Sequence, residues 1–172
     1  SGGAIVVESG PLTLTTSSLT SNTAATTGGA ISSSSSSSVT YSRLVGNSVS
    51  NPLNGLTLFA SAGSVFSADD NWWGINTGPS PNDFRNNLGS VFPASYLQLR
   101  VSASPDSICT GGTSTLTADI KQRNLGGALT TELNGLPTFA ALFNNAVLGS
   151  LSGATNFVNG VATATYTAGG TQ

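Results

Sequence analysis

Apolar residues along this chain fall on every second position rather than every third or fourth. Leu12-Thr13-Leu14, Leu56-Thr57-Leu58, Leu116-Thr117-Ala118 and Val161-Ala162-Thr163-Ala164-Thr165-Tyr166 all alternate in this way. A period of two sends one row of side chains into a core and the other into water, which is the signature of a half-buried strand. Good helix formers are sparse, and Gly or Ser interrupts every window. The pattern predicts an all-β chain of short strands.

The first half also repeats. Gly2-Gly3-Ala4-Ile5 returns as Gly28-Gly29-Ala30-Ile31 at a shift of 26, Leu12-Thr13-Leu14 as Val39-Thr40-Tyr41 at 27, and Ser18 to Asn22 as Arg43 to Asn47 at 25. A repeat of this length, with short strands between Gly and Asn corners, is one coil of a parallel β-helix, whose inward Ile, Leu and Val are buried only by the coils above and below. A third, shorter coil follows, with Leu56 and Leu58 as its strand, then Val65-Phe66 and Asn71. The serine run Ser32–Ser38 has the composition of a linker. It occupies the same interval as Val6 to Pro11 of the first coil, however, and is read as a wall of the second. Asn22, Asn47 and Asn71, spaced 25 and 24 apart, are either a stacked ladder in left-handed corners or ordinary turn residues.

Composition narrows the function. Only 7% of the 172 residues are charged, the formal net charge is −2, and the chain holds no His and one Cys. With no imidazole and a single thiol, His-based catalytic pairs and the usual zinc, haem and iron–sulfur ligand sets are excluded. Five scattered cations make no basic stripe for nucleic acid. No apolar run is long enough to span a membrane as a helix. The surface must then be Ser, Thr, Asn and Gly, a composition suited to extracellular life and to packing against copies of itself. No cofactor is expected.

The repeated Gly-Gly-Ala-Ile and Leu-Thr-Leu elements with corner asparagines, ending in Asn71-Trp72-Trp73-Gly74 and Gly78-Pro79, resemble the final coils of secreted bacterial right-handed parallel β-helix proteins of the adhesin type. The resemblance implies that residues 1–80 are coils closed by a Trp72-Trp73 cap over the apolar end. Residues 81–96 read as a connector. From Leu97 a second pattern begins, with Leu97 to Ala103, a Ser-Pro-Asp turn and Ser114 to Ile120, and later Asn156 to Gly169 with Asn159-Gly160 as a tight hairpin turn. These segments resemble bacterial immunoglobulin-like domains, which implies a β-sandwich over residues 97–172. In that family one more strand follows the Thr-Ala-Gly segment, so a sandwich lacking its last strand is expected. The first coil likewise begins without a cap.

Little catalytic chemistry presents itself. Asp69 and Asp70 are adjacent, and neighbouring strand residues face opposite sides, so they are expected to bond corner amides rather than act as an acid–base pair. A Ca²⁺ held by Asp69, Asp70 and Asn71 is the weaker alternative. Cys109 has no base to activate it and is expected to be a buried strand residue. The sequence therefore predicts no enzyme but a structural subunit or segment of an extracellular bacterial surface fibre or adhesin. Assembly would run head to tail into a homo-oligomer or filament through open β edges at Gly3, Ala4, Ile5, Val6 and Val7 and at Tyr166 and Thr167. The alternative is a carbohydrate-binding or carbohydrate-cleaving module with Trp72 and Trp73 on the sugar. Expected partners are a second copy, a surface glycan, or a receptor on a host or neighbouring cell.

Overall fold

The computed structural model describes residues 2–86, 93–124, 126, 136–153 and 156–170. It is an all-β chain whose first part is a β-solenoid of about three turns. The first coil carries β1 (Ile5–Val7), β2 (Thr13–Thr15), β3 (Ser18–Thr20) and β4 (Thr23–Ala24). The second carries β5 (Ile31–Ser33), β6 (Ser37–Thr40), β7 (Arg43–Val45) and β8 (Ser48–Val49), and the third β9 (Leu58–Ala60) and β10 (Phe66–Ser67). Each strand lies parallel to its counterpart one coil later.

Two of the three repeat shifts hold in the ladder. Ile5 pairs with Ile31 and Leu19 with Leu44. The third is corrected: Leu14 faces Val39, and Thr15 faces Thr40, two residues away from the alignment of Leu12 with Val39. A two-residue slip preserves which side chains point inward, so the alternation that defines the strand cannot detect it.

The inward columns make the core. Ile5, Ile31 and Leu58 stack in register with Phe84, the first residue of β11 (Phe84–Asn86), which pairs parallel with β9. The stretch read as a connector from residue 81 therefore contributes a fourth strand to the sheet of β1, β5 and β9; its residues 87–92 lie outside the described residues. A 3-10 turn at Pro81–Asp83 leads into β11, closed by a reciprocal bond pair between Ser80 and Asp83. The Gly-Gly corners are needed because the coils approach closely there: a Cβ on Gly29 would run into the Leu56 carbonyl, and Gly28 has φ of +54°.

The serine run is an ordered wall. Ser33 and Ser37 turn inward and bond each other at 2.9 Å and the Ser35 carbonyl at 2.7 and 3.1 Å, while Ser36 Oγ accepts from the Val65 amide at 3.3 Å. Ser37 stands opposite Phe66, so a small residue in one coil makes room for a large one in the next.

After the solenoid, β12 (Leu97–Ser104), β13 (Thr113–Arg123), β15 (Gly149–Gly153) and β17 (Val161–Ala168) form an antiparallel sheet in the order β12-β13-β17-β15. A separate two-residue pair joins β14 (Phe139–Ala140) to β16 (Asn156–Phe157). Asn159 and Gly160 both have positive φ and turn the chain from Val158 to Val161, as a tight hairpin requires. No helix among the described residues is long and apolar enough to cross a membrane.

Candidate functional site

Two places hold most of the residues singled out by the sequence: the face of the first coil and the junction between solenoid and sheet.

At the first coil, β1, β2, β3 and β4 each occupy the end of their ladder, and among the described residues no strand lies beyond them. Gly3, Ala4 and Ile5 donate backbone N–H groups to Gly28 and Ala30 of the second coil. Ile5 and Val7 face inward, and Val6 points out with 51% of its surface exposed. The first coil's inward residues Ile5, Leu12, Leu14 and Leu19 are only half-buried, whereas Ile31, Val39 and Leu44 one coil on are 0%, 0% and 1% exposed.

The corner residues form two directed ladders. Asn47 Oδ1 accepts from the Asn22 amide at 3.1 Å and from Asn22 Nδ2 at 3.0 Å. Ser42 Oγ accepts from the Ser17 amide at 3.0 Å, and Asn71 Oδ1 accepts from the Ser42 amide at 2.8 Å. Asn71 thus belongs to the Ser17–Ser42 column, not to that of Asn22 and Asn47. The left-handed residues are the ones before: Ser21, Gly46 and Asp70, at φ of +55°, +67° and +55°. That conformation turns the corner and leaves the next side chain free to reach along the axis.

The tryptophans part company. Adjacent strand residues face opposite sides, so Trp73 enters the solenoid core and meets Phe84 edge-on at 5.1 Å, while Trp72 turns outward into a second cluster with Leu97, Ile120 and Phe157. They are 7% and 9% exposed. Neither offers the open ring face that a sugar platform requires, and they do not lie together as a paired lid. Trp73 is one layer of the core, with Phe84 beyond it, and Trp72 is the pin between the two parts.

Around that pin the junction is closely tied. Tyr96 and Leu97 continue the stacking on Asn71 as the chain enters β12. Asn124 and Tyr96 exchange two bonds, at 3.0 Å each. Asp70 accepts from Ser95 Oγ at 2.8 Å and pairs with Arg123 at 2.8 Å, and Asp69 accepts from the Ala94 and Ser95 amides. Arg43 lies over the Phe139 ring at 4.9 Å, and burial lowers its pKa from the ordinary guanidinium value. The carboxamide of Asn76 clasps Leu99, accepting from its N–H at 2.6 Å and donating to its C=O at 2.8 Å, which covers part of the free edge of β12. Asp69 and Asp70 both hold Ser95, the first through its amide and the second through its hydroxyl, whereas Asn71 is occupied by Ser42, Val39 and Ala68. Among the described residues no three His, Cys, Asp or Glu side chains gather.

Tyr166 and Thr167 are corrected. They lie on β17, with β13 on one side and β15 on the other: Tyr166 faces both Ser114 and Leu151, and Thr167 faces Thr113 and Ser150. The Tyr166 hydroxyl donates to the carbonyls of Val147 and Leu148. They form no open edge. Cys109, expected in a buried strand, is exposed in a tight turn where its carbonyl accepts from the Gly112 amide. A shallow apolar groove of about 260 Å³ runs between Leu99, Val101 and the segment Ala140–Phe143.

The sequence reading did not find Tyr96, Asn124 or Arg123 as junction residues; their partners lie 25, 28 and 53 positions away, and only the fold brings them together. No protein-family model, curated protein or solved structure matches the chain.

Proposed function

We propose that this chain is a structural, non-catalytic segment of an extracellular bacterial surface fibre or adhesin, in which a short β-solenoid is joined closely to an immunoglobulin-like unit. The reading is carried by the way the solenoid's last layer, Asn71 and Trp72, is built directly into the following sheet, in a chain of which only 7% of the residues are charged. A four-stranded sheet covered by the short β14–β16 pair supports the immunoglobulin-like assignment of the second unit. The near-neutral hydroxyl-rich surface supports the extracellular location. Burial of both tryptophans weighs against a glycan-stacking module.

Immunogold electron microscopy of intact cells of the producing organism, with antibodies raised against this chain, tests the proposal. Label on the outer surface along extended structures is expected. Label confined to the cell interior overturns it, as does polysaccharide binding that is lost on replacing Trp72 or Trp73 in a protein that still folds.

A further inference from the structure

Neighbouring residues of a strand face opposite sides, and at two successive levels of the stack those sides belong to different cores. Trp73 lies in the solenoid core and Trp72 in the sheet's cluster; Tyr96 packs against the first core, and Leu97, 0% exposed, is buried in the second. The two levels are contiguous. Asn71 bridges Tyr96 in parallel, as Arg43 bridges Trp72, and the Leu97 amide donates to the Asn71 carbonyl at 2.9 Å. Leu97 is also the first residue of β12 and stands opposite Arg123 of β13. The same short segment is therefore the next rung of the solenoid and the beginning of the antiparallel sheet.

The wall that results is packed on both faces. Its outer side presents Tyr41, Val45 and Trp72 to the sheet's cluster, and the Arg43 guanidinium covers the Phe139 ring. The β14–β16 pair, with two residues in each strand, is too small to hold as a layer by itself, so the solenoid wall supplies part of the cover that the sheet needs. Units of one chain move and unfold separately unless the contact between them is extensive and apolar. Here, unfolding either unit strips one face of a wall on which the other is built.

We propose that solenoid and sheet form one cooperative unit sharing the wall of Tyr41, Arg43, Val45, Trp72 and Leu97, so that neither unfolds alone and a strain placed in one is felt in full by the other. This rests on the same junction as the function proposed above but not on the surface location, so immunogold labelling and the experiment below fail separately.

The two tryptophans read the two cores. In Trp72→Phe the remaining Trp73 reports on the solenoid, and in Trp73→Phe the remaining Trp72 reports on the sheet's cluster. Each background then receives a strain in the other part: Gly160→Ala in the first, where the added Cβ meets Leu136, and Val39→Ala, at a 0% exposed solenoid position, in the second. Urea unfolding is followed by tryptophan fluorescence and by circular dichroism. A single transition with coincident midpoints is expected, and the remote substitution shifts the fluorescence midpoint by as much as the circular dichroism midpoint. Two transitions, or a tryptophan that keeps its midpoint while the other part loses stability, overturns the proposal. Where a double variant does not fold, calorimetry of the unsubstituted chain decides: agreement of the calorimetric and van't Hoff enthalpies is expected, and a calorimetric value well above the van't Hoff value overturns the shared unit.

Discussion

Asn71 is the most demanding position in the solenoid, and replacing it should expose how the coils are held. Its side chain is 0% exposed and makes three bonds: Oδ1 accepts from the Ser42 amide at 2.8 Å, and Nδ2 donates to the carbonyls of Val39 at 2.7 Å and Ala68 at 2.8 Å. Asn71→Ala strands one amide and removes a donor from two carbonyls in a dry interior. At about 1–3 kcal/mol for each of the three groups left unsatisfied, the loss is about 3–9 kcal/mol, a large share of the roughly 5–15 kcal/mol that holds a domain together. Urea unfolding followed by circular dichroism measures it directly. Asn71→Asp is the sharper variant because it keeps the shape and the acceptor toward Ser42 but presents an oxygen to both carbonyls. The ionised form is disfavoured there by desolvation and by the two carbonyl dipoles, so the folded chain binds the proton more tightly than the unfolded one. With the folded pKa raised, the variant is most stable below the unfolded aspartate value of about 3.9. It loses about 1.4 kcal/mol per pH unit as pH rises from there toward the folded pKa. The difference between Asn71→Asp and the unsubstituted chain should therefore widen from acid to neutral pH. A variant within about 1 kcal/mol of the parent at neutral pH, with no such widening, would refute the burial and bonding assigned to this side chain.

Trp73→Ala should cost about 3–5 kcal/mol, whereas Trp73→Phe should cost distinctly less, since the buried indole Nε1 has no partner among the described residues and its removal forfeits no bond there; thermal melts of the two variants compare them. Gly160→Ala places a Cβ against Leu136 at φ of +74° and should lower stability by about 1–2 kcal/mol, measured by chemical denaturation; an unchanged midpoint would contradict the hairpin geometry.

The legible part of this fold was the part written twice. Gly2 to Ile5 against Gly28 to Ile31, and Ser18 to Asn22 against Arg43 to Asn47, carry enough identity of pattern to fix their ladders. Leu12 carries too little, because the residues stacked on it are of a different kind: Ser37 donates no apolar signal, and the volume it leaves is filled by Phe66 from the following coil. The strand at Phe84 was hidden by its Pro- and Asn-rich approach, although Asp83-Phe84 stands in the ladder where Thr57-Leu58 stands one coil before. The tryptophans illustrate a rule available without coordinates. Two adjacent strand residues cannot cover one surface together, and the same reasoning that separated Asp69 from Asp70 applied equally to Trp72 and Trp73. Tyr166 was misplaced because an alternating strand looks alike at the edge and at the centre of a sheet, and the burial of its polar edges is decided by segments far away in the chain.

The backbone amides of the corner ladders all point one way, and that has a temporal side. In each column the amide belongs to the earlier coil and the oxygen that accepts it to the later one: Ser17 waits for Ser42, Ser42 for Asn71, and Asn22 for Asn47. During synthesis a coil therefore leaves the ribosome with its corner amides unmet until the acceptor 25 to 29 residues behind has emerged. At about 5–20 residues per second, each coil is provisional for roughly one to six seconds, and the nascent chain is locked from behind, each new coil fastening the one before it.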